Sequence, residues 1–139
     1  MKNRRFAFGC AAMGLAMLSA CVPKPAVTAS GHDLYTTFCQ SCHGEGGKGD
    51  GPLAAELAKK PADLTRIARR NGGTFPLAKV MSTIDGYTRK NDHGSIMPEM
   101  GLVLQDGPMT TVDTGDGIET PVPASLLALA DYLRGLQVN

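Results

Sequence analysis

The sequence predicts a small all-α domain of four to five short helices, carrying one short hairpin as an insertion. Three observations support this. Apolar residues recur at helical spacing in the segments 32–42, 75–84 and 123–136. The stretches between them are broken by glycine and proline, with 17 Gly and 9 Pro in 139 residues. That length suits one modest domain and is short for two.

The first helix is expected over 32–42, where Leu34, Tyr35 and Phe38 share a face. Gly31 precedes it, and Asp33 in its first turn favours the helix dipole. Five glycines in the eight residues 44–51 end that helix and wrap a loop tightly. Pro52–Lys60 reads as a short helix stopped before Pro61, and 61–65 as a turn into another short helical stretch. Asn71-Gly72-Gly73 is a break. Phe75–Ile84 then reads as a helix, with Phe75, Val80 and Ile84 apolar, closed by Asp85-Gly86. Gln105–Pro121 is polar and rich in Gly and Asp. It is expected to form a hairpin turning at Gly115-Asp116-Gly117, and its acidic spacing is not that of an EF-hand loop. In Pro123–Leu136 a stripe of Leu126, Leu129, Ala130, Leu133 and Leu136 marks the clearest helix. It should pack across the first helix, with small Ala130 permitting close approach.

Charge excludes one class of partner. Fourteen Lys and Arg stand against 13 Asp and Glu, a net of +1, so no global excess marks a nucleic-acid binder. Without Lys2, Arg4 and Arg5 the balance becomes 11 against 13. There is no Trp, with three Tyr and four Phe. So few large side chains leave a small core short of apolar bulk, which a bound planar cofactor would supply.

The N-terminus reads as an address. A basic start, Met1–Arg5, precedes an apolar or small run over residues 6–20. That run is shorter than the roughly 20 residues of a membrane-spanning helix. Leu18-Ser19-Ala20-Cys21 resembles the lipobox of bacterial lipoproteins, which implies cleavage before Cys21 and a lipid on its sulfur. The expected division is a signal peptide over 1–20, a lipidated Cys21 with a Pro-containing tether over 21–30, and a folded domain over 31–139. Cys10 lies in the apolar run and is lost with it.

Two cysteines then remain, in Cys39-Gln40-Ser41-Cys42-His43. This is the C-x-x-C-H pattern of c-type haem attachment. Two thiols one helical turn apart reach the two vinyl groups of a porphyrin, and the adjacent imidazole is held beneath the iron. A thioredoxin-type thiol pair would want a strand-helix-strand setting, and none surrounds the motif. A zinc site would want a second cysteine pair.

With this motif, a Met-Pro segment at 97–98 and a last amphipathic helix containing Tyr132-Leu133, the chain resembles the class I mono-haem cytochromes c over about residues 31–136. The resemblance implies one covalent haem c and its iron, bound through Cys39 and Cys42. His43 would be one axial ligand. Met97 in Ser95-Ile96-Met97-Pro98-Glu99-Met100 would be the other, with Met100 and His93 as alternatives. Pro98 stiffens the loop after Met97. Met81 reads as core, while Met109 and His32 have no assigned role. The resemblance also implies a backbone carbonyl for the second ring nitrogen of His43, with Pro52 in Gly51-Pro52-Leu53 as candidate.

The functional expectation is single-electron transfer on the periplasmic side, anchored to the inner or outer membrane. Redox proteins are the expected partners, and no small-molecule substrate is expected. Lys59, Lys60, Arg66, Arg69 and Arg70 form a basic cluster that could steer an acidic redox partner. Alternatives are a haem subunit of a larger periplasmic oxidoreductase, or a haem catalyst or gas sensor with an open axial site.

Overall fold

The computed structural model describes residues 29–89 and 96–138. The signal peptide, lipidation at Cys21, most of the tether and ligation by His93 therefore lie outside the described residues. Within them the chain is mostly helical, with six α-helices and one two-stranded sheet.

The first helix, α1 (Gly31–Phe38), starts at a cap. The Ser30 hydroxyl accepts the Asp33 N–H at 3.1 Å and donates to the Asp33 carboxylate at 2.7 Å, which satisfies a backbone donor left open by the first turn. Cys39 alone separates α1 from α2 (Gln40–His43), and its N–H still bonds to the carbonyl of Tyr35 at 2.8 Å. After the glycine loop come α3 (Ile67–Arg70), α4 (Leu77–Asp85) and α5 (Gly101–Leu104). Strands β1 (Met109–Asp113) and β2 (Glu119–Pro123) follow, then α6 (Ala124–Gly135).

The core lies where α6 packs against α1 and α4. Leu34 and Tyr35 come from α1, Val80, Met81 and Ile84 from α4, and Leu126, Leu129 and Leu133 from α6. These are the apolar positions that recur at helical spacing in the sequence. Ala130 is fully buried, as its place on the stripe predicts. The tightest approach nevertheless falls at Gly31. A Cβ there would stand 2.0 Å from the Ala128 carbonyl oxygen and 2.8 Å from the Tyr132 Cβ. Only hydrogen at that position lets the start of α1 lie on the backbone of α6.

The hairpin forms where the sequence places it. β1 and β2 pair antiparallel, with Thr111 opposite Pro121 and Asp113 opposite Glu119. A single Asp113 oxygen organises the turn, accepting N–H groups from Gly115, Asp116 and Gly117 at 2.8, 3.1 and 3.0 Å. Those bonds hold the Asp113 carboxyl below the usual range. Buried Val122 and the bond from Ala124 N–H to the Pro108 carbonyl (2.9 Å) fasten the hairpin to α6.

Two expectations need correction. Pro52–Lys60 is not a helix; it contains only a 3₁₀ turn at Ala54–Glu56 before an extended Leu57. Gly51 and Leu53 donate to the carbonyls of Cys42 and Ser41 at 3.2 and 2.9 Å, which ties the segment's start to α2. A nine-residue helix with no buried residue to dock has little to offset its nucleation cost. Conversely, α5 has no periodic signal in the sequence, being only four residues long. It forms because the Met100 N–H bonds to the Ile84 carbonyl at 3.0 Å, so the turn begins on the end of α4.

Gly31→Val should force α1 off α6. We expect a loss of about 1–3 kcal/mol, a melting-temperature drop of several degrees in thermal unfolding of the haem-loaded protein. An unchanged midpoint would show that the two backbones do not meet at Gly31.

Candidate functional site

The break at Cys39 and the short turn of α2 set the cysteine pair and the histidine on one side of the helix. His43 N–H bonds to the Cys39 carbonyl at 2.9 Å, keeping the three residues in one helical turn. His43 is buried, with 9% of its surface exposed, and its Nδ1 lies 3.0 Å from the Ala62 carbonyl oxygen. A carbonyl only accepts, so Nδ1 carries the hydrogen and Nε2 keeps its lone pair for a metal. Burial pushes the imidazole below its usual pKa, and the Ala62 bond opposes this only in part. The ring is thus held neutral and aimed, as an axial ligand must be.

The carbonyl that does this belongs to Ala62, not Pro52. Gly51-Pro52-Leu53 is folded back on the carbonyls of α2, and Pro52 is exposed. The chain must travel ten residues further before a carbonyl returns to the histidine. The Ala62 peptide is fixed by its neighbour Asp63, whose carboxylate accepts the N–H and hydroxyl of buried Thr65 at 2.9 and 2.6 Å. Tyr35 acts from the other side. It is 1% exposed and donates its hydroxyl to the Gly44 carbonyl, closing the end of α2 right after His43. Burial, with smaller contributions from nearby groups, pushes its phenol up to about 12, so it stays a donor. Sequence reasoning missed Tyr35 as anything but core. Neither it nor Ala62 carries a local signal, because each acts through a backbone carbonyl that folding supplies.

Beside this turn lies a cleft of two lobes, about 360 and 260 Å³. Cys39, His43, Ala62, Ile84 and Met97 line both. Cys42 and Met100 border the first lobe only, as do Ile96 and Pro98. Of the two candidate methionines, then, Met97 reaches both lobes and Met100 one. Met100 is also tied at its backbone to α4. Gly101 seats the loop there, since a Cβ on it would lie 2.5 Å from the Asp85 carboxylate. Met81 is in the core and Met109 is 60% exposed on β1; neither lines the cleft. His32 packs edge-on against Tyr132, with ring centroids 5.5 Å apart, at the far end of α1.

These residues fit a haem and fit the rival groups poorly. Each lobe is mostly apolar, and their volumes suit a small organic cofactor. Imidazole and thioether are donors suited to haem iron. Among the described residues no group of three or more His, Cys, Asp or Glu converges to hold a bare metal ion. Burial, then the neighbouring Cys42, pushes the Cys39 thiol up to about 11. A thioredoxin-type nucleophile needs the opposite shift.

Tyr35→Phe removes the hydroxyl and leaves the buried Gly44 carbonyl without it. We expect a loss of about 1–2 kcal/mol, read as a lower denaturation midpoint. An unaltered midpoint would rule out a role for that bond.

Residues 26–109 match the family described as cytochrome c oxidase, cbb3-type, subunit III. No curated protein and no solved structure matches the chain. The matched stretch contains Cys39, Cys42, His43 and both candidate methionines, and it stops at the first residue of β1. A cytochrome c domain binds haem c with its iron and serves electron transfer. With the cleft and its neutral, aimed imidazole already in view, the match places this chain in the cbb3-type cytochrome c oxidase subunit III family and makes it a c-type cytochrome.

Proposed function

We propose that this chain carries single electrons through one haem c, joined by thioethers at Cys39 and Cys42 and ligated by His43 and Met97. We assign it to the periplasmic side of a bacterial membrane, with a lipid anchor at Cys21. The observation that carries the reading is the shared cleft: Cys39, His43 and Met97 all line both of its lobes. When bound, the haem supplies an iron that accepts and releases one electron. The rest is work for the polypeptide. The Ala62 carbonyl holds the Nδ1 proton of His43, leaving Nε2 as the donor. Met97 offers a soft sulfur that favours the reduced metal. Apolar walls such as Phe38 and Ile84 keep water from the ligands. With His43 and Met97 both given to the iron, no ligand position would remain for a substrate, which suits a carrier better than a catalyst or gas sensor.

Partner docking is part of the proposal. Lys59 and Lys60 are exposed and border the first lobe together with exposed Ile96. A mixed basic and apolar rim suits an acidic redox partner steered by charge. Arg66, by contrast, pairs with Asp63 at 3.5 Å and is less available. A second reading has specific support in the family description, which is that of an oxidase subunit. In that reading the chain feeds electrons to the oxidase as a stable component. Co-purification with a larger membrane oxidoreductase would favour it over a free carrier.

Mass spectrometry of matured protein should find a porphyrin on the peptide holding Cys39 and Cys42. Optical and magnetic spectra should lose the Met-ligated signature in Met97→Ala, which should also bind carbon monoxide when reduced, and keep it in Met100→Ala. The reverse pattern would transfer the ligand role to Met100. Cys21→Ser should move the protein from the membrane fraction to the soluble periplasmic one; retention on the membrane would refute the lipid anchor.

A further inference from the structure

The two ends of the cleft differ. Cys42, Lys59 and Lys60 border only the first lobe, whereas Arg70, Asn71 and Lys79 border only the second. The remaining walls of the second lobe are largely apolar, with Leu64, Ile67, Val80 and Leu133 among them. Its two cations come from different elements, Arg70 from the end of α3 and Lys79 from the first turn of α4, and both are exposed.

Asn71 joins those elements. Its amide nitrogen donates to the Ile67 carbonyl at 2.7 Å, and its amide oxygen accepts from the Lys79 ammonium at 3.4 Å. Neither cation has a carboxylate within ion-pair distance among the described residues. The ion pairs there are His32–Asp33, Arg66–Asp63 and Arg134–Asp131. The nearby Asp63 is already held by Thr65 and Arg66. An apolar lobe with two cations at its mouth, neither in an ion pair among the described residues, calls for an occupant with an apolar body and an anionic edge. A haem has that edge: its two propionate carboxylates lie on the opposite side of the macrocycle from the vinyl groups that cysteines capture.

We propose that Arg70 and Lys79 hold the haem propionates at the second lobe, with Asn71 positioning Lys79. This rests on haem attachment at Cys39 and Cys42. It also gives the basic cluster over 59–70 two separate tasks: Lys59 and Lys60 face a partner at the thioether end, and Arg70 turns to the cofactor. An Arg fork suits a carboxylate through paired N–H groups, and the Lys adds a point charge.

The test compares purified holoproteins of Arg70→Gln, Lys79→Gln, their double variant and Lys59→Gln/Lys60→Gln. Resonance Raman spectra report the propionate bending band, and redox titration reports the midpoint potential. In both single variants the band should shift to lower frequency and the potential should fall, because loss of a nearby cation favours the oxidised iron. Lys79→Arg and Arg70→Lys should restore most of each shift. The Lys59→Gln/Lys60→Gln protein should keep the parental band. Should the double variant fail to mature, the exposed single sites carry the same reading. An unshifted band in both single variants, or a shift found only in the Lys59→Gln/Lys60→Gln protein, overturns the assignment. Absence of covalent porphyrin in the parent would instead overturn the haem reading beneath it.

Discussion

One hydrogen bond, from His43 Nδ1–H to the Ala62 carbonyl, sets the terms for the rest of the site. It fixes the tautomer and the plane of the ring, and it does so across nineteen residues of chain. Several backbone bonds hold its two ends together. Gly49 N–H reaches the His43 carbonyl at 2.8 Å, and Leu64 N–H reaches the Gly47 carbonyl at 2.6 Å. The glycine loop is thus a strap between the histidine and the segment that restrains it. Each such bond is worth only about 1 kcal/mol net. Their joint effect is orientation, because a ligand that can rotate leaves the metal's geometry to chance.

The same helices build the core and the cleft, which couples stability to cofactor. α1 turns Leu34 and Tyr35 into the core and Phe38 into the cleft. From α4, Val80 and Ile84 belong to both, and α6 adds Leu133. Among the described residues the largest fully buried side chains are Tyr35, Leu104 and Leu129. A core this small stabilises weakly at about 25 cal/mol per Å² of apolar surface removed from water. A macrocycle bound in the cleft that Phe38, Ile84 and Leu133 line would add the apolar bulk that a sequence without Trp lacks. It would therefore serve the fold as well as the electron.

The parts of this design legible in sequence are those with a local cause. Helical periodicity marks α1, α4 and α6 because their buried faces are continuous in the chain. The hairpin shows through Gly115-Asp116-Gly117, and the C-x-x-C-H spacing is a chemical requirement within one turn. What the sequence hides is whatever acts through backbone or through distant chain. Ala62 could be almost any residue, since only its carbonyl is used. Gly31 gives no periodic signal, yet it sets how closely two helices cross. Pro52–Lys60 has helical composition but no buried face, so propensity there lost to the pull of the carbonyls on α2. The basic run over 59–70 looks like one patch in sequence, and folding spreads it along two ends of a cleft.

The hairpin clarifies which parts of the chain the chemistry needs. The family match ends at Met109, and no residue of β1 or β2 lines either lobe of the cleft. The insertion is held at its base by Val122 and by the bond between Ala124 and Pro108, with Val112 packed part-buried against the core, while Met109 and Ile118 stay exposed. Length or sequence can change beyond that base without moving the histidine, the cysteines or the methionine loop. α6 has no such freedom. It follows the hairpin directly, supplies Leu133 to the cleft, and is pinned by Gln137, whose side chain bonds to the Leu64 carbonyl and the Ala68 N–H. Leu64 precedes α3 and Ala68 lies within it, beside the cleft wall near Ala62. The last helix thus closes the domain by bracing the same segment that aims His43, so the C-terminus contributes to the redox site through packing and the hairpin does not.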